Sequence, residues 1–301
     1  MSAFLSEKHN FLALHEEYSD PETAQVVIMS VPFETTSTYG HGSAHGPHAI
    51  IRASHQVELF DADLGFAPYK SAGGIATLPT TDIAGYHGES LAQRLARECA
   101  FWLERDKFMV TLGGEHTSVV GAVIAHCEAY DDVTVLQLDA HSDLRSSYVG
   151  DPWNHACAMA RVLDKHDSLV QVGIRSQSIE EREIAQSRRI PVFTADEIHD
   201  ADHTGQDWLQ TVTEPLRPRV YITFDCDVMD PSVMPATGTP DPGGLTYRQV
   251  CSLFDHVCRE REVIGLDITE LAPIPGLRHP EFTMAKLIYR FLGYRFAPNQ
   301  R

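Results

Sequence analysis

Residues 133–145 read VTVLQLDAHSDLR. A β-prone apolar run ends at Leu138, and Asp139, His141 and Asp143 then fall on alternate positions. On an extended chain, alternate side chains share one face, roughly 7 Å apart per two-residue step. One acid at a strand end is an ordinary solvated cap. Three metal-ligating side chains in one register imply a site that the strand delivers, provided the chain bends as it leaves the sheet.

Similar runs recur outward from this one: AQVVIMSVPF (24–33), FMVTLGG (108–114), LVQVGIRS (169–176), RVYITFDCD (219–227) and VIGLDITEL (263–271). Continuous apolar strands separated by helix-length linkers predict a parallel sheet covered on both faces, an α/β fold. Helices are expected near 90–105, 117–130, 179–188, 246–260 and 281–294. No repeat or linker interrupts the pattern, so residues 1–301 read as a single domain, with 1–23 as an N-terminal arm. Chemistry-bearing residues cluster at the C-terminal ends of the runs, where open parallel sheets bind ligands.

The chain carries a formal net charge of −18. It shows no Lys/Arg cluster, which excludes a nucleic-acid partner. No apolar stretch of about 20 residues is present, so no membrane partner is expected. The six cysteines form no CxxC pair and read as reduced thiols of a cytoplasmic protein.

Two further stretches repeat the acidic device. YITFDCDVMDP places Asp225 and Asp227 on one side of a strand end and Cys226 on the other. TLGGEHTSVVG places His116 at a helix start after two glycines. Together with Asp139, His141 and Asp143 they make a set of four aspartates and two histidines. Two like charges 4 Å apart repel by about 4 kcal/mol at an effective dielectric near 20, so four converged carboxylates require cations. Two divalent ions balance them, and an oxygen-rich, thiolate-free set suits Mn²⁺. Such a pair activates water near neutral pH.

At these residues the chain resembles the ureohydrolase family, the arginases and agmatinases. The resemblance rests on GGEH (113–116), DAHSD (139–143), FDCDVMDPSVMPATGTPDPGGLT (224–246), LDITELAP (266–273) and GPHAIIR (46–52), in family order. It implies the three-layer α/β/α arginase-type fold with a parallel sheet of about eight strands, and two Mn²⁺ per subunit. It also implies hydrolysis of a guanidino group to an amine and urea, and a homo-oligomer, trimer or hexamer. His116, Asp139, His141, Asp143, Asp225 and Asp227 match the family's metal ligands. Glu270 matches its guanidinium-binding glutamate, and His155 its proton-handling histidine. Thr239 matches a pocket-lining position. By the same resemblance Asp143, His155 and Glu270 are the catalytic groups: Asp143 passes a proton to the departing nitrogen, and His155 relays protons to solvent.

Arginases place an Asn where this chain has Arg145 and an Asp where it has Ser178, so the amino-acid head of arginine lacks its partners. The run HSDLRSSYVGDPWNHACAMAR is similar to the bacterial and archaeal agmatinase pattern, which implies agmatine, a small cationic guanidino substrate, hydrolysed to putrescine and urea. Ala156 and Cys157 depart from that pattern, and Arg145 would suit a carboxylate tail. Guanidinobutyrate, guanidinopropionate, formiminoglutamate and arginine therefore stay open as substrates. Arg145 is the residue expected to report the tail. Rival classes are a single-zinc deacetylase-like amidohydrolase and a non-catalytic homologue. His41, His45 and His48 could line the pocket, bind metal or be plain loop residues.

Overall fold

The computed structural model describes residues 5–298. Eight strands form one sheet: β1 (Val26–Val31), β2 (Ile75–Thr77), β3 (Phe108–Gly113), β4 (Val133–Leu138), β5 (Leu169–Ile174), β6 (Val192–Thr194), β7 (Arg219–Asp225) and β8 (Glu262–Thr269). Their order is β2-β1-β3-β8-β7-β4-β5-β6, and every pairing is parallel. The last strand in sequence therefore lies in the middle, where it alone joins β3 to β7.

The six apolar runs are the strands β1, β3, β4, β5, β7 and β8. They are legible because helices cover both faces, so nearly every strand position is buried. Alternate residues separate the two faces. Val26 and Ile28 join a core with Ile50, Phe254 and Phe291 from helices Gly46–Ser54, Tyr247–Glu260 and His279–Arg295. Val27, Met29 and Val31 pack instead with Leu91, Leu95 and Trp102 from helix Gly88–Leu103. Farther along that second face, Val133, Val135 and Tyr221 meet helices Val120–Ala129 and Ala158–Leu163 through Val123 and Met159. The result is the expected three-layer α/β/α arrangement.

The sequence-based reading lacks the edge strands β2 and β6, which hold three residues each and are too short to show a run. Ser178, Thr194 and Thr246 each cap a helix and form a capping box with the acid or amide three residues on. The described part of the N-terminal arm is pinned down, not free. Phe11 is fully buried, its N–H donates to Thr77 Oγ1 at 2.9 Å, and Asn10 Oδ1 accepts from Thr77 N. Among the described residues, no helix is long and apolar enough to cross a membrane.

Candidate metal centre

The ends of β3, β4, β7 and β8 lie side by side, and their following loops deliver the site. Asp139, His141 and Asp143 follow β4 rather than lie on it. His141 makes an isolated parallel bridge to Ser176, which keeps the chain extended for one step. Asp143 then adopts φ 53°, the left-handed conformation that L residues seldom take, and this bend turns its carboxylate inward. Asp225 ends β7, whereas Asp227 sits in the 3-10 turn Cys226–Val228. The two aspartates share the site through that turn and not by strand alternation. Cys226 points into the core, fully buried. Glu270 follows β8, also in the left-handed region at φ 61°. Left-handed residues cost about 1–3 kcal/mol each and gather at functional sites.

All six expected ligands converge. His116 Nδ1 lies 3.0 Å from Asp143 Oδ2, 3.2 Å from Asp139 Oδ2 and 3.5 Å from Asp225 Oδ2. His141 Nδ1 lies 3.0 Å from Asp227 Oδ2 and 3.7 Å from Asp139 Oδ1. Two donor groups result, His116–Asp139–Asp225 and Asp139–His141–Asp227, each with ligand atoms within 4.8 Å of one another. Asp139 belongs to both, one oxygen toward each histidine. It is steadied by N–H donors from Gln137 Nε2 at 2.8 Å and His141 N at 2.7 Å.

The donor set fits divalent cations, and His116 gives the clearest sign. Its Nε2 is 3.0 Å from Thr223 Oγ1, whose hydroxyl donates to Asp267 Oδ1 at 2.8 Å. The Thr223 hydrogen is thereby used, so His116 Nε2 is the donor, and a neutral ring presents a bare Nδ1. That Nδ1 is buried without a hydrogen-bond partner, facing three carboxylate oxygens. Metal-ligating histidines are oriented in this way by a partner on the far nitrogen. Without a cation the cluster compensates by protonation. Burial alone would lower His116, but Asp139 and Asp143 outweigh it and hold the ring well above its usual value. Burial is likewise outweighed at His141, where Asp227 and Asp139 push the ring up to about 12. Burial and the neighbouring Asp227 and Asp139 push the Asp225 carboxyl far upward.

A cleft of about 480 Å³ opens over this centre, lined by Asp143, Arg145, Tyr148, His155, Thr239 and Glu270 among others. Every expected substrate-side residue thus reaches one cavity. Glu270 Oε1 accepts from His116 N at 2.8 Å. Burial, then the Glu115 carboxylate, raises its pKa well above the usual range, as for an acid lacking its cation. Thr239 Oγ1 is 3.5 Å from Asp227 Oδ2. Arg145 is not a free cation: its Nε lies 3.6 Å from Glu181 and its guanidinium stacks 4.8 Å from the Tyr148 ring centroid. Ser178 is a helix cap. His41 Nδ1 sits 3.5 Å from Glu34, and His41, His45 and His48 join no metal-type cluster among the described residues. A wider cavity of about 1200 Å³ lies at the opposite edge of the sheet, lined by Gln25, Gly73 and Arg261. Arg261 is spent there on main-chain carbonyls of Leu216 and Thr213.

Glu115 is the residue that sequence spacing did not single out. It is fully buried and ties the loop after β1 to the centre, accepting from Thr35 N at 2.7 Å and Thr36 N at 2.6 Å. The preceding glycines make this approach possible. A Cβ on Gly114 would come within 2.1 Å of Phe33 O, and one on Gly113 within 2.3 Å of Ser118 Oγ. Gly114→Ala is therefore expected to destabilise the protein by about 3 kcal/mol through overpacking against backbone. That loss would lower Tm by roughly 5 °C in a thermal melt.

The fold and site define a class: a three-layer α/β/α protein with a paired His/Asp metal-type centre at the C-terminal edge of a parallel sheet. The arginase family model matches residues 24–293. The chain is 40% identical to an N(1)-aminopropylagmatine ureohydrolase of Thermus thermophilus, covering 94% of each chain. It is 32% identical to an agmatinase of Bacillus cereus, covering 88% of each. The structure of an agmatine ureohydrolase of Thermoplasma volcanium superposes with a TM-score of 0.81 at 30% identity, over 93% of this chain and 92% of that one. The chain belongs to the arginase family, binuclear metal hydrolases that act on C–N bonds in linear amidines. The single-zinc alternative falls with that membership.

Proposed function

We propose that the protein binds two Mn²⁺ and hydrolyses the guanidino group of a linear polyamine-type substrate, N(1)-aminopropylagmatine ahead of agmatine, to urea and the free amine. The observation that carries the hydrolytic reading is the buried Nδ1 of His116, which has no hydrogen-bond partner and faces three carboxylates. His116, Asp139, His141, Asp143, Asp225 and Asp227 would hold the ions, which supply a water acidified into the neutral range when bound. Glu270 pairs with the guanidinium and fixes its carbon over the centre. Asp143 carries a proton toward the departing nitrogen. His155, half-buried on the cleft wall, exchanges protons with solvent. Thr239 lines the inner wall.

The tail assignment refines the expectation of agmatine. Relatives that share 40% identity over nearly the whole chain bear the longer substrate in their names. The Arg145–Glu181 pair supports the same side, because Arg145 already has a carboxylate partner at the cleft wall. Tyr39, 80% exposed, lines the same cleft and offers its ring face to an ammonium group there. The reading also carries a homo-oligomer, trimer or hexamer. A cytoplasmic location is supported by six unpaired thiols.

Urea release with Mn²⁺ across N(1)-aminopropylagmatine, agmatine, arginine and guanidinobutyrate tests it. The expected outcome is a kcat/KM about 10-fold or more higher for aminopropylagmatine than agmatine, with the other two turned over least. A preference for agmatine would restore the shorter substrate. No urea from any of them would sink the hydrolytic reading.

A further inference from the structure

Thr36, on the loop after β1, stands between Glu115 and His155. Its hydroxyl lies 3.0 Å from Glu115 Oε1, 3.1 Å from His155 Nδ1 and 2.8 Å from the His155 main-chain N, which donates to it. A hydroxyl has one hydrogen and two acceptor sites. Glu115 is a fully buried acceptor whose other donors are Thr35 N, Thr36 N and, at 2.7 Å, Thr117 Oγ1. A carboxylate outcompetes a neutral imidazole for a hydroxyl hydrogen. The Thr36 hydrogen therefore goes to Glu115, and both Thr36 lone pairs face His155. One accepts the main-chain N–H and the other can only accept from Nδ1.

We infer that Glu115 and Thr36 are positioning residues that lock neutral His155 in the Nδ1–H form and leave Nε2 as its one exchangeable base in the cleft. This rests on His155 handling protons in the proposed reaction. Neither residue touches substrate. Thr36 fixes the ring from two sides, main chain and side chain, so the basic nitrogen keeps both identity and direction between turnovers. The chain of contacts also couples His155 to the metal centre through one peptide, because Glu115 directly precedes His116.

The test combines kinetics with the ¹⁵N shifts of histidine-labelled full-length protein held in Mg²⁺, which avoids paramagnetic broadening, with His155 assigned by His155→Gln. Wild type is expected to show the protonated shift at Nδ1 and the bare shift at Nε2 at high pH. Thr36→Val is expected to move His155 toward the Nε2–H form and cut kcat about 10- to 100-fold, with KM changed less than about 3-fold. Thr36→Ser keeps the hydroxyl and is expected to restore both readouts. A wild-type ring protonated at Nε2, or a Thr36→Val protein with unaltered shifts and rate, would overturn the inference. Absence of urea release by wild type would instead remove the proposed function, while the spectrum still decides the tautomer.

Discussion

Asp139→Ala is expected to abolish urea release and strip the protein of bound metal together. Asp139 is the one residue common to both donor groups, with Oδ2 toward His116 and Oδ1 toward His141. If the two groups hold ions as proposed, truncation would take a ligand from both, and with the ions goes the several kcal/mol of transition-state stabilisation that a metal supplies. A loss of about 5 kcal/mol corresponds to a rate fall on the order of 10³- to 10⁴-fold. Metal analysis should read two ions per chain in wild type and fewer than one in the variant. Each ion held at a hundred times its Kd contributes about 2.7 kcal/mol to folding, so EDTA should lower the wild-type Tm by about 8 °C. It should leave the variant's Tm nearly unmoved. An Asp139→Ala protein that retains two ions would refute a role for Asp139 in holding them.

Glu270→Gln should produce a loss of a different kind. Gln can still accept the His116 N–H that Glu270 now accepts at 2.8 Å, so the loop stays in place. What disappears is the negative charge that Glu270 would set opposite the guanidinium in the proposed reaction. Replacing a charge-assisted pair by a neutral one in a water-poor site costs about 3–4 kcal/mol, which is roughly 10²- to 10³-fold in kcat/KM. Metal content should stay at the wild-type value, which separates this variant from Asp139→Ala. A kcat/KM within about 3-fold of wild type would show that another group holds the cation.

The candidate ligands were legible in the sequence because metal chemistry restricts residue type and the strand ends restrict position. DAHSD and FDCD carry both constraints in a few letters. How they converge was less visible. Asp143 turns inward through a left-handed residue, and nothing in an aspartate announces that conformation. Asp227 arrives through a 3-10 turn, although alternation alone also paired it with Asp225. The Glu115–Thr36–His155 chain was illegible because its members lie 79 and 119 residues apart, and two threonines in a loop carry no periodic signal. Among the elements, central strands show themselves through unbroken apolarity. Helix Ala195–Thr204, by contrast, buries only Ala195 and Ile198, too few positions to mark a face. Arg145 looked like a free cation in the string, and only its neighbours Glu181 and Tyr148 reveal it as paired and stacked.

The place of β8 bears on how the chain is made. It is the last strand to leave the ribosome, yet the hydrogen-bonded ladders β2-β1-β3 and β7-β4-β5-β6 meet only through it. Until residues 262–269 emerge, a nascent chain holds two part-sheets with exposed edges at β3 and β7, a state prone to wrong pairings. A premature stop shortly before β8 would therefore remove the middle of the molecule rather than its end. Glu270, which follows this strand, would be lost together with the join that brings it to the cleft.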